Sequence, residues 1–154
     1  MEKSIVCGVD GSDDSKAALG VAADLADRLG ARLVLANVAE YAHSPFATVG
    51  PRGPGVVPQV PLGDVLGEQL QAGEALVERM AEEADLQRAE SRVVPGFAAE
   101  RLADLADEED AEMIVVGSRG RGAFKAAFLG SVSTSLIGIA RCPVLVVPPG
   151  AHES

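Results

Sequence analysis

Residues 112–133 read EMIVVGSRGRGAFKAAFLGSVS, and their order already suggests an architecture. Residues 112–117 form an apolar, β-branched run too short for a typical helix, the pattern of a buried strand. Glycines then gather at 117, 120, 122 and 130. A helix is expected to begin near Ser131 and to stop before Pro143, because proline cannot continue a helix. The charge pattern changes over the same stretch. The chain carries Lys+Arg 13 against Asp+Glu 23, yet no Asp or Glu occurs from Met113 to His152. The charged residues there are Arg119, Arg121, Lys125 and Arg141, a local reversal that suits an anion.

The rest of the chain repeats this alternation. SIVCGV (4–9) is a short apolar strand running into the turn Asp10-Gly11-Ser12. Ala17, Ala18, Val21, Ala22, Leu25 and Leu29 follow at helical spacing, with Ser12 or Asp13 as the N-cap and Gly30 as the stop. RLVLANV (32–38) is a second strand. Residues 41–62 hold so much Pro and Gly that a long loop is expected, either a lid over a site or a plain connector. Leu66, Leu70, Val77, Met80 and Ala84 mark another helix, SRVVPG (91–96) a strand, and Leu102, Leu105 and Ala106 a third helix. PVLVVPP (143–149) supplies the last strand before a short tail, 149–154. Strands that are continuous apolar runs between helices imply a mostly parallel sheet covered on both faces. In such sheets ligands bind beyond the strand C-terminal ends, where strand order reverses. That directs attention to Asp10, Val38 and Gly117.

Composition narrows the function. One domain over residues 1–154 is expected, with 47% hydrophobic residues and only 3% aromatic ones. A net charge of −10 disfavours nucleic acid and anionic membrane as partners, since both need a broad basic face. No signal-peptide core or membrane-length apolar run is present, so a cytoplasmic location is expected. Cys7 and Cys142 lie in or beside strand-like runs and read as structural filler, with redox or metal chemistry as the alternative.

Gly117, Gly120 and Gly130-Ser131 give the spacing GxxG-x9-G[ST]. Glycines let a phosphate approach the backbone, and a helix N-terminus presents N–H groups to negative charge. Ser131 and Ser133 add hydroxyls and Arg119 a cation; the alternative is a tight turn with solvated arginines. Walker A fails, because Ala123 and Phe124 stand where Lys and Ser/Thr are needed. A dinucleotide fingerprint meets Lys125 in place of its third glycine.

Together, IVCGVDGSDDSKAAL, GARLVLANV, DAEMIVVGSRGRG, the Gly130-Ser131 step and CPVLVV resemble a universal stress protein of the ATP-binding subgroup, over nearly the whole chain. The resemblance implies an open, doubly wound α/β sheet of five parallel strands, order 3-2-1-4-5, with helices on both faces. It also implies ATP at the C-terminal edge, with any Mg²⁺ held through the phosphates. Carried over by position, Val9, Asp10 and Val38 meet the adenine and ribose. Gly117, Arg119, Gly120, Gly130, Ser131, Val132 and Ser133 surround the ribose and phosphates. Asp10 has a competing role as the cap of the first helix. Cyclic AMP or AMP are alternative ligands, and a dimeric adaptor without nucleotide is an alternative function. A homodimer through strand 143–148 is expected. No catalytic residue and no protein-held metal is expected: the phosphate-proximal segment lacks acids, and His43 and His152 read as solvated. ATP turnover should be slow at most, and the expected role is a stress-response regulator or sensor.

Overall fold

The computed structural model describes residues 2–40, 62–119 and 129–151. Nine elements alternate along the chain: β1 (Ser4–Gly8), α1 (Asp13–Leu29), β2 (Arg32–Glu40), α2 (Leu62–Glu83), β3 (Glu90–Gly96), α3 (Ala98–Glu108), β4 (Ala111–Gly117), α4 (Ser131–Ile139) and β5 (Val144–Val147). The strands form one sheet in the order β3-β2-β1-β4-β5, with every pairing parallel. Both the order and the parallel pairing match expectation. The expected loop 41–62 overlaps α2 by one residue at Leu62, and its remainder lies outside the described residues. β1 stops one residue early, at Gly8, and β5 keeps only four of the seven residues in 143–149, because prolines flank it and cannot donate to the ladder.

Side chains alternate across the sheet, and the central strands bury both faces. Ile5, Cys7, Leu33, Leu35 and Val115 point to the α1/α2 side, where Ala18, Leu19, Ala22, Val77 and Met80 meet them. Val6, Val34, Ala36, Ile114 and Val116 point the other way, onto Leu102, Leu105 and Leu136 of α3 and α4. This two-sided burial is why the strands read as unbroken apolar runs. Burial without a counter-charge pushes the Cys7 thiol up to about 12, and Cys7 is indeed structural filler. Cys142 is only partly buried.

The helices differ from expectation in detail. In α1 the buried stripe is centred on Ala18, Ala22 and Ala26, while Leu29 is exposed at the helix end. Small alanines let α1 sit close to the sheet, so the larger residues mark the flank of the interface. Ser12 is the N-cap, accepting from Ser15 N, and Gly30 ends the helix at φ 63°, the left-handed conformation that glycine adopts without strain. In α2 the stripe runs through Gly73, Val77 and Met80, and Ala84 lies past its end, exposed. No helix among the described residues is long and apolar enough to cross a membrane.

Candidate functional site

The chain leaves β1 toward β2 and β3 on one side and places β4 and β5 on the other, so the crevice opens between the C-terminal ends of β1 and β4. A cleft of about 1030 Å³ occupies it. Val9, Asp10 and Val38 line one end; Gly117, Arg119, Gly130, Ser131, Val132 and Ser133 line the other. The fold therefore gathers nine of the ten expected site residues. The tenth, Gly120, lies outside the described residues, as do His43 and His152.

The first end is built on β1 and β2. Val9 N donates to the Ala36 carbonyl at 2.9 Å, which holds Val9 beside β2 although β1 has ended. The Val9 carbonyl accepts from Asn37 Nδ2 at 2.8 Å. Asn37 also lines the cleft, and α2 can pass over it because Gly73 has no Cβ: one built there would lie 2.5 Å from Asn37 Oδ1 and 2.7 Å from Val93 Cγ1. Sequence reasoning missed both residues. Their signals were a lone amide inside an apolar strand and a glycine on the apolar stripe of a helix. Asp10 Oδ1 accepts from Ser12 N at 2.9 Å and from Ser12 Oγ at 2.5 Å, an Asx turn. The competing role of Asp10 as N-cap is thus excluded, since Ser12 caps α1.

The second end is tied together by Ser118, which was not expected to contribute. Ser118 N donates to the Val147 carbonyl at 2.9 Å, and the Ser118 carbonyl accepts from Gly130 N at 2.7 Å and Ser133 Oγ at 3.2 Å. Ser133 Oγ also donates to the Gly130 carbonyl at 3.0 Å, and Ser133 is buried. Its hydroxyl therefore fastens β4 to α4 and is not free to meet an anion as expected. Gly130 is the N-cap of α4 and brings no side chain to that position, so the first-turn N–H groups of Ser131, Val132 and Ser133 have no side-chain cap. Uncapped N–H groups of this kind attract negative charge.

One further expectation changes and another is extended. Gly117 was read as admitting a phosphate, but its missing Cβ faces protein: a Cβ there would lie 2.7 Å from Asp14 C and 2.8 Å from Asp14 Cβ and O. The glycine lets the first turn of α1 close onto the end of β4. The phosphate-proximal segment lacks acids, as read, but the fold brings one to it from α1. Asp14 is 8% exposed, and its Oδ2 accepts from Ser118 Oγ and Arg119 N, both at 2.9 Å, with Arg119 Nε at 3.5 Å. It comes from a segment about a hundred residues away in sequence, so no local pattern could reveal it.

The cleft therefore joins a wall of backbone and small apolar side chains to an end bearing Arg119 and an uncapped helix start, which suits a flat heterocycle linked to an anion. Among the described residues no group of three or more His, Cys, Asp or Glu side chains could hold a metal. Comparison with known proteins agrees with this architecture. A universal stress protein of Thermus aquaticus is 34% identical over 158 aligned positions, covering 96% of this chain and 99% of the relative. Another from Bacillus subtilis, YxiE, is 32% identical, covering 96% and 99%. Among solved structures, UspA of Lactobacillus plantarum superposes with a TM-score of 0.75 at 19% identity, covering 94% and 97%, and shares the fold. A universal stress protein in complex with cAMP gives 0.63 at 26% identity, covering 96% and 97%. The Universal stress protein family model matches residues 1–148, and the chain belongs to that family.

Proposed function

We propose that the cleft between β1 and β4 binds an adenine nucleotide, and that the protein acts as a stress-response regulator or sensor through its occupancy. The observation that carries this reading is the uncapped N-terminus of α4, set across the cleft from Val9, Asp10 and Val38. In this reading the main chain of Val38 and Val9 meets the adenine edge, and Asp10 meets the ribose. The N–H groups of Ser131–Ser133 and the Arg119 guanidinium meet phosphate. The related structure holding cAMP supports an adenine ligand. ATP is the ligand that the family resemblance implies, and its Mg²⁺ would be carried by the phosphates. Turnover should be slow at most, because the segment from Met113 to His152 that carries the anion end holds no Asp or Glu to act on a water. Denaturing the purified protein and identifying the released small molecules by mass spectrometry tests the reading. An adenine nucleotide near one per chain supports it. A chain still empty after incubation with millimolar ATP overturns it.

A dimer through β5 is the second part of the proposal. β5 is an edge strand whose Leu145 is 37% exposed, and α4, on the other face of the sheet, exposes Ile137 and Ile139 at 58% and 47%. A second copy would cover both the edge and this apolar surface. Val144 and Val146 pack inward on the α3/α4 core, so Leu145 is the position to test. Leu145→Glu should convert a dimer to a monomer by light scattering, and an unchanged mass would count against pairing through β5.

A further inference from the structure

Asp14 is a nearly buried carboxylate directly behind the anion end of the cleft, and the reading above gives it no role. Three donors converge on its Oδ2: Ser118 Oγ, Arg119 N and Arg119 Nε. Ser118 and Arg119 both line the cleft. Among the described residues, a cation and an N–H group at the anion end, both of Arg119, are therefore already drawn toward a fixed negative charge. From this arrangement we infer that Asp14 is a specificity-determining residue, which limits how strongly the cleft favours polyphosphates over a single phosphate. The inference rests on the nucleotide reading proposed above.

The physical basis is charge counting. Asp14 holds the turn after β4 in place, which helps every ligand alike. Its charge also opposes an anion at that end, and this opposition grows with the number of phosphates. Mutual repulsion in a partly buried site is weakly screened, so one carboxylate acts more strongly on a triphosphate than on a monophosphate or a cyclic diester. The chain as a whole, at net −10, adds to the same trend. Gly117 fixes the geometry: its missing Cβ allows Asp14 to approach β4, so the carboxylate cannot retreat without opening that contact.

The experiment is calorimetric titration of ATP, AMP and cAMP, each without Mg²⁺ so that the phosphate charge is not masked, into the wild type, Asp14→Asn and Asp14→Glu, with thermal melting to establish that each variant folds. For the wild type, ATP should bind less than about tenfold more tightly than AMP. Asp14→Asn keeps the shape and removes the charge, and it should shift the ratio of dissociation constants toward ATP by about threefold to tenfold. Asp14→Glu keeps the charge and should restore the wild-type ratio. Equal weakening of all three ligands by Asp14→Asn would show a merely structural role and overturn the inference. So would a wild type that prefers ATP far beyond tenfold, a result that needs no variant to fold. A wild type that binds none of the three fails at the nucleotide reading itself and takes this inference with it.

Discussion

Replacing Gly117 with alanine separates two reasons for having a glycine at the end of β4. If the glycine serves only ligand approach, Gly117→Ala should weaken nucleotide binding and leave the empty protein's stability unchanged. The structure predicts otherwise. The added Cβ would stand 2.7–2.8 Å from the C, Cβ and O atoms of Asp14, distances at which something must shift, and two of those atoms belong to backbone. Overpacking of this kind costs about 1–3 kcal/mol. Moving the first turn of α1 away would also strain the hydrogen bonds from Ser118 Oγ and Arg119 N to Asp14, each about 1.5–3 kcal/mol when the acceptor is charged and fully lost. The turn need move only part of the way, so a total of about 2–4 kcal/mol is expected, a large share of an ordinary domain's stability. Urea denaturation without nucleotide, followed by circular dichroism, measures it. Stability within about 0.5 kcal/mol of the wild type would refute the packing argument.

Other consequences are quicker to check. Gly138 lies inside α4 and, among the described residues, nothing comes within 4 Å of a built Cβ, so Gly138→Ala should raise stability by about 0.5–1 kcal/mol in the same urea assay. Gly30→Ala should instead lower it by about 1 kcal/mol, since φ 63° suits glycine and strains alanine although no atom of the described residues lies within 4 Å of a built Cβ. Leu136→Ala removes a fully buried side chain from the α3/α4 core and should cost about 2–5 kcal/mol, read as a lower urea midpoint at unchanged slope. Burial raises the Cys7 pKa from 9.0 to about 12, so the unfolded thiol ionises first and stability should fall as pH rises from about 9 toward 12. That fall should approach about 1.4 kcal/mol per pH unit above pH 9 and be reduced in Cys7→Ala, with denaturation curves at pH 8 and 10 as the check.

What the sequence revealed follows from which interactions are local. The strands and the N-cap at Ser12 are written in neighbouring residues, and so is the helix stop at Gly30. Their patterns could be read directly. That the cleft lies beyond the strand C-terminal ends followed from alternation of strand and helix, while the strand order that sets it between β1 and β4 came from the family resemblance. Gly73, Asn37 and Asp14 were missed because each acts on a residue from another element. Gly73 makes room for Asn37, Asn37 holds the Val9 carbonyl, and Asp14 holds Ser118 and Arg119. Gly117 was recognised as a glycine that something must approach, but sequence could not say what. Ser133 shows the same limit: its hydroxyl looked available until the fold placed the Ser118 and Gly130 carbonyls against it.

The most direct test of the nucleotide site is to record backbone amide NMR spectra while titrating ATP into the isotope-labelled protein. Saturable shifts should concentrate at Val9, Asp10 and Val38 on one side of the crevice and at Gly117–Arg119 and Gly130–Ser133 on the other. No shifts at millimolar ATP, or shifts confined to the acidic groove of Glu74, Glu78 and Glu82 between α2 and β3, would contradict the site.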